Sequence, residues 1–250
     1  MYIFKNKLLL MGEVWFDAET QEMGNVDVLL YKQRTYPINN VTYEECHTRL
    51  IDLQKTQDEI WLNIGKNDKY KIKRAGERDR VIYEYWENPE SNILNEFADF
   101  YDVFAVQKGL KKINRTILKS RADSGLIDIS QIKSNDGNPL IWHTYYRNKE
   151  CAYLLHSASL KNDSDTSYQS MLGRANLYHH WQDILRFKNA GISKYDFGGW
   201  YTGNTDNQKL GINKFKEKFG GEVVKRYNCA RPITLKGQLY LSLIKILRRK

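Results

Sequence analysis

The chain has 250 residues, 41% hydrophobic and 13% aromatic, which suits one large domain or two small joined ones and excludes a largely disordered chain. With 39 Lys and Arg against 30 Asp and Glu, the net charge is +9. That fits either a solvated basic surface or an anionic partner such as a nucleotide, RNA, a lipid phosphate or a membrane face. Cys46, Cys151 and Cys229 are widely spaced with no CxxC pair, so neither a disulfide framework nor a thiolate zinc site is expected, and reduced thiols fit a cytoplasm.

Residues 1–11 hold Lys5, Lys7 and a short apolar run, too short for a signal peptide or a membrane span. No run of 18 apolar residues occurs, so the expectation is a soluble protein whose membrane contact is at most peripheral. Leu8–Leu10, Val14–Phe16 and Val26–Tyr31 read as short strands, punctuated by Gly12 and Gly24. From Thr42 the pattern turns helical. Residues 57–64 place Ile60, Trp61 and Ile64 at helical spacing, and Asn67–Gly76 reads as a basic helix capped by its glycine. Residues 81–85 read as a strand. Asn92–Lys108 is an amphipathic helix with Leu94, Phe97, Phe100, Tyr101 and Phe104 on one face.

Leu140–Tyr146 and Cys151–Ser157 are apolar runs joined by residues 147–150, the pattern of a hairpin. A polar stretch, residues 161–167, leads to Gly173 and a helix over Ala175–Ala190, closed by Gly191. A strand over 194–197, a loop over 198–206, a basic helix over 209–219, a strand over 223–227 and a helix over 232–250 follow. The order is that of an α/β fold.

Two stretches carry a family resemblance. The first runs from Ile51-Asp52-Leu53 through Glu59-Ile60-Trp61 to Lys66–Ala75. The second is a helix with Trp181 and Lys188, then Tyr195-Asp196-Phe197-Gly198-Gly199, Gly211-Ile212, Phe215-Lys216 and Phe219-Gly220-Gly221. Together they resemble the GNAT superfamily, in particular the Fem branch that builds peptidoglycan cross-bridges, and its single-domain relatives. The resemblance implies a mixed central sheet flanked by helices. An abbreviated N-terminal half would cover residues 1–110 and an acyltransferase half residues 111–250. Fem enzymes have two full halves and often a coiled-coil arm; this chain is shorter and shows no heptad pattern.

The implied activity moves an acyl or aminoacyl group to an amine of an envelope precursor, an amino sugar or a peptidoglycan peptide. Acyl-CoA or aminoacyl-tRNA would serve as co-substrate, with no tightly bound cofactor and no metal. The protein is expected in the cytoplasm; a lipid-linked acceptor would bring it to the inner face of the membrane. GNAT enzymes hold the donor with a glutamine or arginine followed by spaced glycines; here the stretch is Ser170, Gly173, Arg174 and Ala175, with serine in the leading place. Lys216 is the candidate to stabilise the oxyanion, against the plainer reading of a basic solvated face, and Asp196 either orients a reacting group or hydrogen-bonds the backbone of the next loop. Phe215 is placed at the acyl group. Ile212, Phe215 and Phe219 are expected to face the core, with Lys216 about 100° round the helix on their flank.

Gly198 and Gly199 would let substrate approach the backbone closely, and Trp200 and Tyr201 either stack on a sugar or base or are partly buried loop aromatics; Lys216, Tyr201 and the Gly173 loop are expected to line one substrate cleft. Lys73 and Arg74 are candidates for phosphates, against the plainer reading of a solvated face. No secure base emerges: His179 and His180 are neighbours on a helix, where each is more commonly a lone core or surface histidine than a metal ligand. Leu239, Leu243, Ile246 and Leu247 followed by Arg248-Arg249-Lys250 fit a packed helix, or, as the lesser reading, a peripheral membrane contact. The rival to the enzyme is a non-catalytic basic module that binds RNA or an anionic glycan.

Overall fold

The computed structural model describes residues 1–6, 8–18, 25–160 and 165–247. Lys7, Gly24, the polar stretch 161–164 and the basic residues 248–250 lie outside the described residues. The chain forms two compact units, residues 1–48 with 224–250 and residues 49–223, which differ from a division at 110.

In the first unit β1 (Tyr2–Asn6) pairs antiparallel with β2 (Leu9–Trp15), which pairs parallel with β3 (Val28–Arg34). β10 (Glu222–Pro232), most of which lies in this unit, pairs antiparallel with β3. Val14, Val26, Leu29, Tyr31 and Cys229 make its core. Its helix, α7 (Leu235–Leu247), is seated by Gly237, where a Cβ would lie 2.0 Å from the Asp27 carbonyl oxygen.

The second unit holds the end of β4 (Thr42–Asp52), then α1 (Gln57–Leu62), α2 (Lys66–Glu77), β5 (Ile82–Glu87), α3 (Ser91–Lys108), α4 (Arg115–Asp123), β6 (Ile127–Lys133), β7 (Pro139–Arg147), β8 (Cys151–Ser159), α5 (Thr166–Asn189), β9 (Lys194–Gly199) and α6 (Asn207–Glu217). Strand order is β4-β9-β8-β7-β6-β5, with β5 to β8 antiparallel and β8–β9 parallel. β6 and β7 are buried on both faces, as central strands with helices on both sides must be. The fold is a mixed α/β one, its sheet flanked by helices.

Local chemistry sets the helix starts. Thr56 and Glu59 form a reciprocal capping box on α1, and the side chains of Asp165 and Asp206 accept backbone N–H groups at the starts of α5 and α6. Asn148 makes the β7–β8 turn by accepting from the Glu150 and Cys151 amides.

Several expectations are corrected. Thr42–Asp52 is a strand, not a helix; its outward side chains are charged or polar and hide the alternation. The α4 and β6 segments are regular where no element was anticipated, and β1 precedes the expected first strand. Gly76 lies inside α2, packed where a Cβ would be 3.1 Å from the Tyr178 ring. The leucine stripe of α7 is exposed rather than packed.

Candidate functional site

The second unit has a cleft of about 610 Å³ between α2, α5 and the end of α6, lined by Asn67, Tyr70, Lys71, Arg74, Gln169, Ser170, Gly173, Arg174, Asn176, Leu177, Phe215 and Lys218. Four of these side chains are cationic. Two carboxylates stand among them: Asp68 pairs with Lys71 (3.3 Å) and Lys218 (3.1 Å), and Asp79 with Arg74 (3.8 Å) and Arg174 (2.6 Å). The wall keeps an excess of positive charge and also carries the Tyr70 and Phe215 rings. That chemistry suits a phosphate-bearing ligand with an aromatic or aliphatic part.

Five candidates from the sequence meet here: Ser170, Gly173, Arg174, Arg74 and Phe215. Their form differs from the expectation. Residues 170–175 lie in the second and third turns of α5, so their amides belong to the helix and make no phosphate-cradling loop. Arg174 is held by Asp79 through two hydrogen bonds, Nε at 2.6 Å and a terminal nitrogen at 3.0 Å. Ala175 is fully buried in the α2–α5 core with Ala75 and Leu172. Lys73 lines a separate groove with Trp61, Tyr178 and Trp181.

The other candidates gather at the end of β9. The parallel β8–β9 ladder covers only Cys151–Tyr153 against Lys194–Asp196. Beyond it, Gly198 takes φ +71° with a Cβ position only 2.9 Å from the Leu154 carbonyl oxygen, so the close approach its bare Cα permits is to β8, not to a substrate. The Asp196 carboxylate, buried, accepts from the Gly198 amide at 2.7 Å. Lys216 reaches over from α6 and donates to the carbonyls of Gly198 (3.2 Å) and Gly199 (2.5 Å).

Lys216 is itself buried, and burial lowers its pKa to about 8 against a smaller opposing pull from Asp196. Ile212, expected in the core, is 53% exposed, while Asn213 and Lys216 are the buried positions of α6. The reason is local: the end of β9 and the following loop need donors. Asn213 supplies the same service to Tyr201, donating to its carbonyl (2.7 Å) and accepting from its amide (3.2 Å). Trp200 lies under the Arg49 guanidinium at 5.1 Å, and the Tyr201 ring under Lys209 at 5.1 Å. Lys216 and Tyr201 do not line the α2–α5 cleft. The expected single cleft of Lys216, Tyr201 and the Gly173 stretch is therefore two neighbourhoods, joined along α6 by the adjacent residues Phe215 and Lys216.

Between α5 and the sheet lies a buried polar network that sequence spacing does not reveal. Asp183 accepts from Tyr145 (2.6 Å) and Tyr83 (2.9 Å) and pairs with His143 Nδ1 (2.8 Å). Tyr145 meets the Tyr195 hydroxyl at 2.8 Å, which meets His180 Nδ1 at 2.7 Å; Ser130 meets His179 Nε2 at 2.8 Å. Burial, and then the neighbouring His143, hold His179 and His180 neutral; burial first holds Tyr145 and Tyr195 protonated. His143, His179 and Asp183 bring possible metal donors within 4.8 Å of one another. The two imidazoles, however, stack face to face at 3.7 Å and 5°, so their in-plane lone pairs do not converge. His180 packs on Phe197, Phe215 and Phe219, one ring behind the cleft wall. Both adjacent histidines are buried because α5 is enclosed most of the way round at residues 179–184.

No protein-family model matches the sequence, and no curated protein does. Solved structures resemble the fold. FemX matches at 14% identity and TM-score 0.60, over 79% of this chain and 63% of its own, so this chain spans less than two thirds of FemX. The C-terminal domain of a putative lysylphosphatidylglycerol synthetase from Agrobacterium fabrum matches at 12% and 0.54, over 88% and 72%. L-PGS from Bacillus licheniformis matches at 14% and 0.51, over 89% and 74%. These likenesses are of fold, and the fold is the GNAT-like one that the sequence motifs imply.

Proposed function

We propose that the chain is an acyl- or aminoacyltransferase that moves its group from a nucleotide-bearing donor to an amine of a cell-envelope precursor. The observation that carries this is the α2–α5 cleft, which Lys71, Arg74, Arg174 and Lys218 line together with Tyr70 and Phe215. A thioester of coenzyme A and an aminoacyl-tRNA share the chemistry such a wall recognises, phosphates beside a base. The fold similarity to FemX, and to a synthetase whose name couples lysine with phosphatidylglycerol, supports an envelope acceptor.

In the reaction the acceptor nitrogen attacks the donor carbonyl carbon. A C–N bond forms, the C–S or C–O bond to the carrier breaks, and the amine proton leaves to the carrier or to water. Phe215 packs against the donor at the cleft. Lys216, beside it in sequence, acts as a positioning residue with a positive charge: it ties α6 to the Gly198 and Gly199 carbonyls and biases the field toward a developing oxyanion. Asp196 orients the same turn, and Trp200 and Tyr201 are the surface offered to the acceptor.

The test is transfer of label from acetyl-CoA, or from charged tRNA, to amino sugars and peptidoglycan peptides. Transfer from one donor is expected, with Arg74→Ala raising the donor KM about tenfold, the loss of one charge-assisted contact. Donor binding without turnover, or no binding of either donor, would sink the enzyme and favour the rival, a basic module for RNA or an anionic glycan.

A further inference from the structure

α7 has two apolar faces, and only one of them is packed. Gly237 is buried against Asp27, and Tyr240, Leu241 and Ile244 on the same side are half-buried. Leu235, Leu239, Leu243, Ile246 and Leu247 lie on the other side, within about 120° of one another at 100° per residue. They are between 58% and 86% exposed. Leu8, 79% exposed, adjoins them, its carbonyl accepting from Lys236. A solvated helix carries charge on its outward face; this one carries leucine.

We propose that this outward face of α7 is a docking surface for an anionic lipid bilayer. Residues 233–250 contain five Lys and Arg and no Asp or Glu. Lys236 is tied to Asp27 at 3.7 Å, which leaves Lys245, Arg248, Arg249 and Lys250 to attract anionic headgroups. An aliphatic stripe flanked by basic residues matches a helix lying in the plane of a bilayer, its leucines in the acyl boundary and its cations among the headgroups. A second copy of the chain is the rival occupant; the surplus of basic residues at the end of the stripe is what favours an anionic bilayer. No helix among the described residues is long and apolar enough to cross a membrane, so the contact is one of lying on the surface. The inference stands independently of acyl transfer, and its test needs neither donor nor acceptor.

The full chain is sedimented with phosphatidylcholine vesicles, with and without phosphatidylglycerol. Binding to the phosphatidylglycerol vesicles is expected, weakened by salt. Leu239→Ser with Leu243→Ser lowers the partition at least about tenfold, from the lost apolar burial. Leu239→Met with Leu243→Met keeps it. Lys245→Gln costs about fivefold, and only on the anionic vesicles. The proposal fails if the chain ignores both vesicles or if the double serine variant binds like the parent. It also fails if light scattering finds a dimer that the serine variant dissolves, which would give the face to a second copy.

Discussion

Lys216 shows what a buried amine costs and what keeps it there. Its two hydrogen bonds go to the carbonyls of Gly198 and Gly199, and a neutral amine has enough hydrogens to keep both. Its pKa is lowered from the usual lysine value to about 8, mainly by burial. Below pH 8 the folded and unfolded states both hold the proton, and the burial penalty is present in full. Between pH 8 and 10.5 only the unfolded state holds it, so stability rises with pH through that window. By pH 9.5 the gain amounts to about 2 kcal/mol, at 1.36 kcal/mol per pH unit. Urea melts of the parent and Lys216→Met at pH 7 and 9.5 check this: the parent gains stability relative to the variant as pH rises. Parallel curves would mean that Lys216 titrates as an exposed lysine. The same charge is available to an oxyanion only below pH 8, so transfer rates are expected to fall above it in the parent.

At the scale of elements, Gly173 separates two views of α5. In a phosphate-cradling turn its missing Cβ is needed, and alanine loses stability. Gly173 instead sits inside a 24-residue helix, with nothing within 4 Å of its Cβ position. Gly173→Ala is therefore expected to stabilise the protein by about 0.5–1 kcal/mol, the helix-propensity difference, read as a higher melting temperature. A loss of stability would restore the turn. The motif misled because a glycine followed two residues later by alanine is common in helices, and its backbone conformation is not written in the pair.

The β7–β8 hairpin and the β9 strand were legible, since apolar runs bounded by turn residues leave few alternatives. Membership of the cleft was legible for Arg74, Ser170, Gly173, Arg174 and Phe215, though not the helical form of the α5 part. The face of α6 was not: hydrophobic spacing favours Ile212, but the carbonyls at the end of β9 recruit Asn213 and Lys216, a demand made by a different element. The His143–Asp183–Tyr195 network was equally hidden, because its members lie on five separate elements and share no local period.

At the scale of the whole molecule, the positive charge falls in several basic stretches, two of which adjoin candidate ligand surfaces. Residues 66–80 carry seven Lys and Arg against three Asp and Glu, and residues 233–250 carry five against none. Residues 108–122 carry six against none as well, so basic stretches occur in both of these places and elsewhere. The first stretch includes Tyr70, Lys71 and Arg74 of the cleft, and the second is α7 with the residues after it. The proposed donor cleft and the proposed membrane face draw on different stretches, and charge reversal tells them apart. Lys71→Glu with Arg74→Glu is expected to weaken donor binding by more than tenfold and to leave sedimentation with phosphatidylglycerol vesicles within about twofold of the parent, since the two stretches make no common contact with either ligand. Lys245→Glu is expected to do the reverse. Both affinities should fall with added salt, by screening, while the Lys71 and Arg74 variant loses most of the salt dependence for the donor alone. If either set of variants lowers both affinities equally, the positive charge acts as one diffuse field, and the division into a donor cleft and a membrane face is wrong.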